Sequence, residues 1–216
     1  MKIDHHLHTA RHSPDSVIDP YQLVERAASL GLDALVITEH DHQWEAAELE
    51  ELAARAGSLK VFSGAEISAV EGHFLVYGLP DLKDCPIGIS FGELLAVVRG
   101  HQGAIVAAHP YRWDQPFGAI VGRYGPVLDA LELVSSNVTP ETRAKTEYLL
   151  NFQPSMGKTG SSDAHEIDVV GCYYTEFPRR IETMAEFVLA LRRREGRPRS
   201  RPCPYRASGP VDGDSE

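Results

Sequence analysis

Met1-Lys2-Ile3-Asp4-His5-His6-Leu7-His8-Thr9 runs an apolar start straight into three histidines and an aspartate. Residues two apart on an extended strand share a face, so His6 and His8 can present both imidazoles to one metal ion while Ile3 and Leu7 turn the other way and pack. Standing alone, such a short motif has a bland alternative, a histidine-rich end without chemical consequence. The rest of the chain decides between them.

Downstream, strand-like and helix-like segments alternate. Asp19-Pro20 opens a helix, with Asp19 as N-cap and Gln22 at the capping-box position; Leu23, Ala27 and Leu30 form its apolar stripe and Gly31 ends it. Residues 33–38 form a short apolar run suited to a strand buried on both faces, and they deliver Glu39-His40-Asp41-His42. A helix over about 44–56 is followed by a strand over 60–67 that contains Glu66, then by a strand over 73–78 headed by His73. Ser90-Phe91-Gly92-Glu93 is a capping box for a helix reaching about His101, and residues 104–108 form a strand ending at His109-Pro110. Further on come a strand over 129–134, a helix from Thr139-Pro140 towards Leu150, the stretch that brings the chain to Asp163-Ala164-His165, a strand over 170–177 and a helix over 181–194. Residues 196–216, rich in proline and arginine and then in small polar residues, read as an unstructured tail after a domain spanning 1–195.

Repeated strand-then-helix units imply an α/β fold with a mostly parallel sheet, and 216 residues admit a small or distorted barrel rather than eight full units. His6, His8, His40, Glu66, His109, Asp163 and His165 all fall at or just past a strand's carboxyl end, where barrels of this class place their chemistry. A lone histidine at such a position is more often structural, but scattered surface histidines would not respect that rule. Imidazole nitrogen and carboxylate oxygen without thiolate suit zinc, manganese or iron, and more than four ligands call for more than one ion.

Composition narrows the function. Seven of the 21 basic residues but only four of the 31 acidic ones lie beyond Leu191, which leaves 14 against 27, a charge of −13, on residues 1–191. So acidic a body disfavours extended nucleic acid, though not a locally positive pocket. Cys85, Cys172 and Cys203 are odd in number and widely spaced, which argues against a disulfide framework and a thiolate zinc site. The first residues lack the apolar core of a signal peptide and no stretch approaches a membrane span, so a cytoplasmic location is the expectation. Oligomeric state is not legible.

Asp4-x-His6-x-His8-Thr9, His12-Ser13-Pro14-Asp15-Ser16, Ile37-Thr38-Glu39-His40-Asp41, Gly64-Ala65-Glu66, His73, Ala108-His109-Pro110 and Ser162-Asp163-Ala164-His165 together resemble the PHP family, the polymerase and histidinol phosphatase superfamily. The resemblance covers residue 1 to about 177, in family order and with compatible spacing. It implies a TIM-like, distorted (β/α)7 barrel that hydrolyses phosphoesters with two or three divalent ions. His6, His8, Glu66 and Asp163 would hold the first ion; Glu66 would bridge to a second held also by His73 and His109. A third would take Asp15, His40 and His165. Asp15 stands one residue further from His8 than is usual, so His12 is its alternative, although an aspartate after Ser-Pro fits the family pattern better.

Closely spaced cations would acidify a bridging water, and neutralise charge growing on the phosphoryl oxygens. Asp163 is the candidate for orienting the attacking oxygen and His165 for assisting the leaving one. Arg112, Lys158 and Arg11 are candidates for gripping the substrate phosphate, against the alternative of solvated surface charge. Asp4 and Asp41 can orient imidazoles from behind, while His5, His42 and His101 are left to supporting or surface positions. The leading expectation is a phosphoesterase acting on a small phosphorylated metabolite. The alternatives are a nucleotide phosphatase or exonuclease on short nucleic acid, a non-catalytic metal-binding module, and hydrolysis of a carbon–nitrogen bond by the same metal-activated water. Loops such as residues 111–125 set the substrate.

Overall fold

The structure, a computed structural model, describes residues 1–115 and 117–203. Its elements in order are β1 (Lys2–Asp4), α1 (Pro20–Ser29), β2 (Ala34–Ile37), α2 (Ala46–Ala53), β3 (Lys60–Ser63), β4 (Ala65–Ala69), β5 (Gly72–Tyr77), α3 (Phe91–Gly100), β6 (Ala104–Ala107), α4 (Phe117–Tyr124), β7 (Ala130–Val134), α5 (Pro140–Phe152), β8 (Gly157–Gly160), β9 (Tyr173–Glu176), α6 (Met184–Arg192) and β10 (Arg197–Ser200). Local chemistry starts the helices as expected. Asp19 accepts from the backbone N–H groups of Tyr21 and Gln22, Ser90 and Glu93 close a capping box, and Thr139 accepts from Thr142 ahead of Pro140.

The strands form two five-stranded sheets, ordered β10-β9-β1-β2-β3 and β4-β5-β6-β7-β8. Backbone hydrogen bonds cross both seams between them. At one, Gly64 N–H donates to Ile37 O (2.8 Å), Glu66 N–H to Glu39 O (3.0 Å) and Asp41 N–H to Glu66 O (2.8 Å). At the other, Asp163 N–H donates to His6 O (2.7 Å) and His8 N–H to Ala164 O (3.0 Å). Glu66 and Asp163 therefore sit on the seams, opposite the histidines that follow β1 and β2.

Alternation along the strands sorts the core into layers. Ala34 and Val36 of β2, Leu75 and Tyr77 of β5, and Ala104 and Val106 of β6 face a common interior that α6 fills with Phe187, Val188 and Leu191. Their neighbours Leu35 and Ile37 pack outward under α1 and α2, while Phe74, Val76 and Ile105 pack outward under α3 and α4. Burial on both faces explains why these strands read as continuous apolar runs.

Four expectations are corrected. The sheet is not mostly parallel, because β5 runs antiparallel to β4 and β6, and β9 antiparallel to β1 and β10. The two residues between β4 and β5 are too few for a crossover, so a hairpin is forced. The strand expected over 60–67 breaks at Gly64, where a Cβ would stand 2.7 Å from the Tyr77 ring and 2.8 Å from Val76 O. Helix α4 falls inside the expected loop 111–125 and buries Phe117, Ile120 and Val121 at helical spacing, its glycines having masked the pattern. Finally, the expected tail from 196 begins as edge strand β10, which pairs with β9 and holds Arg199 Nε 2.9 Å from Glu176; proline and arginine are tolerated on such an edge. Residues 204–216 of that tail lie outside the described residues.

Candidate metal centre

Glu66 is the hub. Its Oε2 lies 3.2 Å from Nε2 of both His6 and His8 and 3.1 Å from His40 Nδ1, and its Oε1 lies 2.9 Å from His73 Nδ1 and 3.0 Å from His109 Nε2. Asp163 faces it across the cluster, Oδ1 being 3.3 Å from His6 Nε2 and 3.5 Å from His8 Nε2. At the outer end Asp15 Oδ2 joins His40 Nε2 (3.1 Å) and His165 Nε2 (3.2 Å). All nine candidate ligands are thus brought together. His73 joins because β5 is antiparallel, which places its amino end where the parallel strands place their carboxyl ends. His12 is not among them, since its Nε2 turns to Glu48 at 3.2 Å.

Supporting hydrogen bonds orient the rings. His6 Nδ1 meets Glu132 Oε1 at 3.1 Å, and Glu132 also accepts from Ser161 Oγ (2.5 Å) and the His109 backbone N–H (2.8 Å). Ser13 Oγ donates to Glu39 (2.6 Å) and is therefore left to accept from His8 Nδ1 at 3.2 Å. With both Nδ1 positions donating, the Nε2 lone pairs of His6 and His8 aim at the Glu66–Asp163 gap. Glu39 also accepts from Thr9 and from the Trp44 indole N–H. Asp4 acts through the backbone, accepting from Ser162 N–H (2.9 Å) and Gly171 N–H (3.0 Å), and Asp41 likewise accepts from Ser68 N–H (2.8 Å). His5 is buried against Tyr77 Oη and Thr175 Oγ1, on the side of α6.

The electrostatics call for a cation. Burial by itself raises the Glu66 and Asp163 carboxyls, but the His6 charge foremost, with the neighbouring imidazoles, holds both well below the usual carboxylate range. Burial likewise lowers the imidazoles, and the carboxylates outweigh it, holding His6 well above its ordinary value and His8 at about 9. The buried carboxylates demand positive charge beside them, which ring protons can supply and a divalent cation would supply in their place. Four buried atoms here, His6 Nε2, His8 Nε2, Glu66 Oε2 and His109 Nδ1, have no properly aligned hydrogen-bond partner. Buried polar atoms are rarely left so, and convergent nitrogen and oxygen donors fit a divalent metal.

A cleft of about 490 Å³ opens over the cluster, lined by ligands together with Arg112, Trp113, Ser136, Asn137, Glu166 and Val169. Non-glycine residues at positive φ crowd its rim: His109, Tyr111, Trp113 and Asp114, with Asp163 opposite. Such strain is held by surrounding structure and concentrates at functional sites. Here it carries Arg112 to 4.0 Å from Asp163 Oδ2, stacked 4.0 Å over the Trp113 ring. Asn137 Nδ2 donates to Asp163 Oδ2 at 2.7 Å. Lys158 is exposed on β8, and Arg11 pairs with Glu48. Neither lines the cleft.

Sequence reasoning passed over Glu132, Glu39, Asn137 and Trp113. Glu132 had a signal, a single acid inside Ala130-Leu131-Glu132-Leu133-Val134, where a buried carboxyl must find donors. Asn137 and Trp113 had none, because only folded loops bring them to the cleft.

Fold and site define an α/β protein with a histidine- and carboxylate-rich cluster that could bind metal. Residues 4–151 match the family model described as PHP domain and residues 155–195 the one described as PHP-associated; the chain belongs to the PHP family. It is 31% identical over 120 residues to the uncharacterized protein MJ1587 of Methanocaldococcus jannaschii, an alignment covering 51% of this chain and 68% of that protein. Its fold is similar to that of a two-domain protein from Bacteroides vulgatus containing a predicted PHP-like metal-dependent phosphoesterase, with a TM-score of 0.70 and 18% identity over 92% of this chain and 64% of that one. It is also similar to PsfC from Pseudomonas syringae, with a TM-score of 0.66 and 22% identity over 89% and 93% of the two chains. The chain thus spans less than two thirds of the Bacteroides protein. No helix among the described residues is long and apolar enough to cross a membrane.

Proposed function

We propose that the protein is a metal-dependent phosphoesterase that hydrolyses a small phosphorylated substrate at a di- or trinuclear centre. The observation that carries this reading is the convergence of nine imidazole and carboxylate ligands, several with orphaned buried atoms, beneath a cleft of about 490 Å³. In this reading the two sheets are one distorted (β/α)7 barrel, supported by the hydrogen bonds across both seams and the shared interior core. His6, His8, Glu66 and Asp163 would hold one ion, Glu66, His73 and His109 a second, and Asp15, His40 and His165 a third. The donor set suits zinc, manganese or iron.

Bound divalent ions supply Lewis-acid charge and activate water. The chain's own groups do the rest. Arg112 binds phosphoryl oxygens with its guanidinium, held in place by the stack on Trp113. Asp163, fixed through Oδ2 by Asn137, orients the attacking water. A water held at the open end beside Asp15 and His165 can protonate the leaving oxygen. The acidic surface favours a small substrate over extended nucleic acid.

A second reading, nucleotide phosphatase, is favoured by one feature. The Trp113 indole is 65% exposed at the cleft, a platform on which a nucleobase can stack. Protein loaded with manganese or zinc should hydrolyse a generic aryl phosphate, and His109→Ala and Asp163→Ala should each abolish this. Full activity in either variant would sink the proposal. Comparing nucleoside monophosphates with sugar phosphates on the same preparation separates the two readings.

A further inference from the structure

Outside the cluster built on Glu66, a second group of ligand atoms converges. His12, in the loop after β1, lays its ring on that of His42, in the loop after β2, with centroids 4.0 Å apart and planes 29° from parallel. Glu48, in the first turn of α2, brings Oε1 to 3.2 Å from His12 Nε2, and one ligand atom from each of the three residues lies within 4.8 Å of the other two. The carboxyl is preset, because Oε2 accepts from Glu45 N–H at 3.2 Å and Arg11 Nε stands 3.1 Å from Oε1.

Two observations separate this group from an ordinary surface ion pair. His42 Nε2 is closed off from solvent yet has no hydrogen-bond partner, a state that buried polar atoms seldom keep without a ligand. The cofacial imidazole arrangement also recurs in the main cluster, where His8 stacks on His40 at 4.2 Å and on His165 at 4.4 Å.

We infer that His12, His42 and Glu48 form a separate binding site for a single divalent transition-metal ion. Two imidazole nitrogens and one carboxylate oxygen suit zinc, cobalt or nickel and leave room for water as a further ligand. The site is a brace rather than a second reaction centre. It ties the loop that carries Ser13 and Asp15 to the loop that carries His40, and both to α2, so its ion would set the spacing of the outer end of the main cluster. This inference does not rest on the phosphoesterase reading, since it concerns metal held outside the cleft.

The test uses a built-in reporter. The chain has two tryptophans, and Trp44 stands edge-on to His12 at 5.2 Å. In a Trp113→Phe background, with excitation selective for indole, Trp44 alone emits. Titration with cobalt(II), a paramagnetic quencher, should quench it saturably, whereas His42→Gln or Glu48→Gln in that background should shift the midpoint at least ~10-fold, since loss of a ligand costs no less than loss of a supporting partner. In the full chain dialysed against zinc, the same substitutions should remove one equivalent of retained metal. His109→Ala should lower the metal count without moving the Trp44 midpoint. Unchanged midpoints and unchanged zinc content in both His42→Gln and Glu48→Gln would overturn the inference, as would a quench abolished by His109→Ala.

Discussion

Glu132→Gln tests how the main centre is oriented. Glu132 is fully buried and accepts three hydrogen bonds, from His6 Nδ1 and Ser161 Oγ at Oε1 and from the His109 backbone N–H at Oε2. Glutamine has nearly the same shape but carries two donors on one of the two terminal atoms. If its NH2 takes the Oε2 position, the His109 N–H loses its acceptor. If it takes the Oε1 position, His6 must accept through Nδ1, which places the ring proton on Nε2 and removes the lone pair aimed at Glu66 and Asp163. The first outcome costs about 1–3 kcal/mol of stability for an unsatisfied buried donor. The second costs ~10–100-fold in metal affinity, as for other lost supporting partners, or about 1.4–2.8 kcal/mol. Chelator competition and thermal unfolding of metal-loaded protein read the two outcomes separately. Glu132→Ala, which strands all three donors, should do worse on both. Wild-type affinity together with wild-type unfolding in Glu132→Gln would refute the orienting role.

Burial holds the His5 imidazole down at about 3, against about 6.5 when unfolded. The unfolded chain therefore binds the extra proton first, and stability present above pH 6.5 is lost as the pH falls towards 3, on the order of 5 kcal/mol in full. Asp4, which burial pushes up to about 6, works in the opposite sense over pH 4–6. Urea unfolding at pH 7.5 and pH 4.5 should show a shallower acid loss in His5→Gln than in wild type, and parallel profiles would refute the assignment. Arg112→Ala should lower kcat/KM on an aryl phosphate by roughly 10–100-fold while leaving metal content unchanged, about the loss of one charge-assisted contact of 1.5–3 kcal/mol; an unchanged kcat/KM would remove Arg112 from the site. Gly64→Ala forces a methyl into the Tyr77 ring and Val76 O, so its melting point should fall, at about 1–3 kcal/mol for overpacking. An unchanged melting point would mean that the β3–β4 junction gives way more easily than its contacts imply.

Much of this was legible because it depends on local patterns. Asp19-Pro20 and Ser90-x-x-Glu93 mark helix starts through bonds made within four residues. The apolar run 33–38 marks a buried strand in the same way, and the histidines and acids at strand ends announce metal chemistry by residue type. Where sheet direction turned on one short connection, as between β4 and β5, the repeated strand–helix rhythm misled. Helix α4 escaped because glycines diluted a stripe that packing rescues. Strand β10 escaped because its pairing with β9 outweighs a composition that reads as tail.

The opening His-x-His pair shows the division most plainly. Sequence by itself determined that two imidazoles would share a side and that carboxylates and histidines in family order would join them, since residue type and spacing decide which donors exist. Only tertiary structure decided that Glu66 and Asp163 meet on opposite seams, that Glu132 fixes His6 from behind, that Arg112 reaches the cleft while Lys158 and Arg11 do not, and that His12 leaves for Glu48. Those are distances of 3–4 Å between residues far apart in the chain. No local periodicity encodes them, because they arise when strands pair and loops are held against one another.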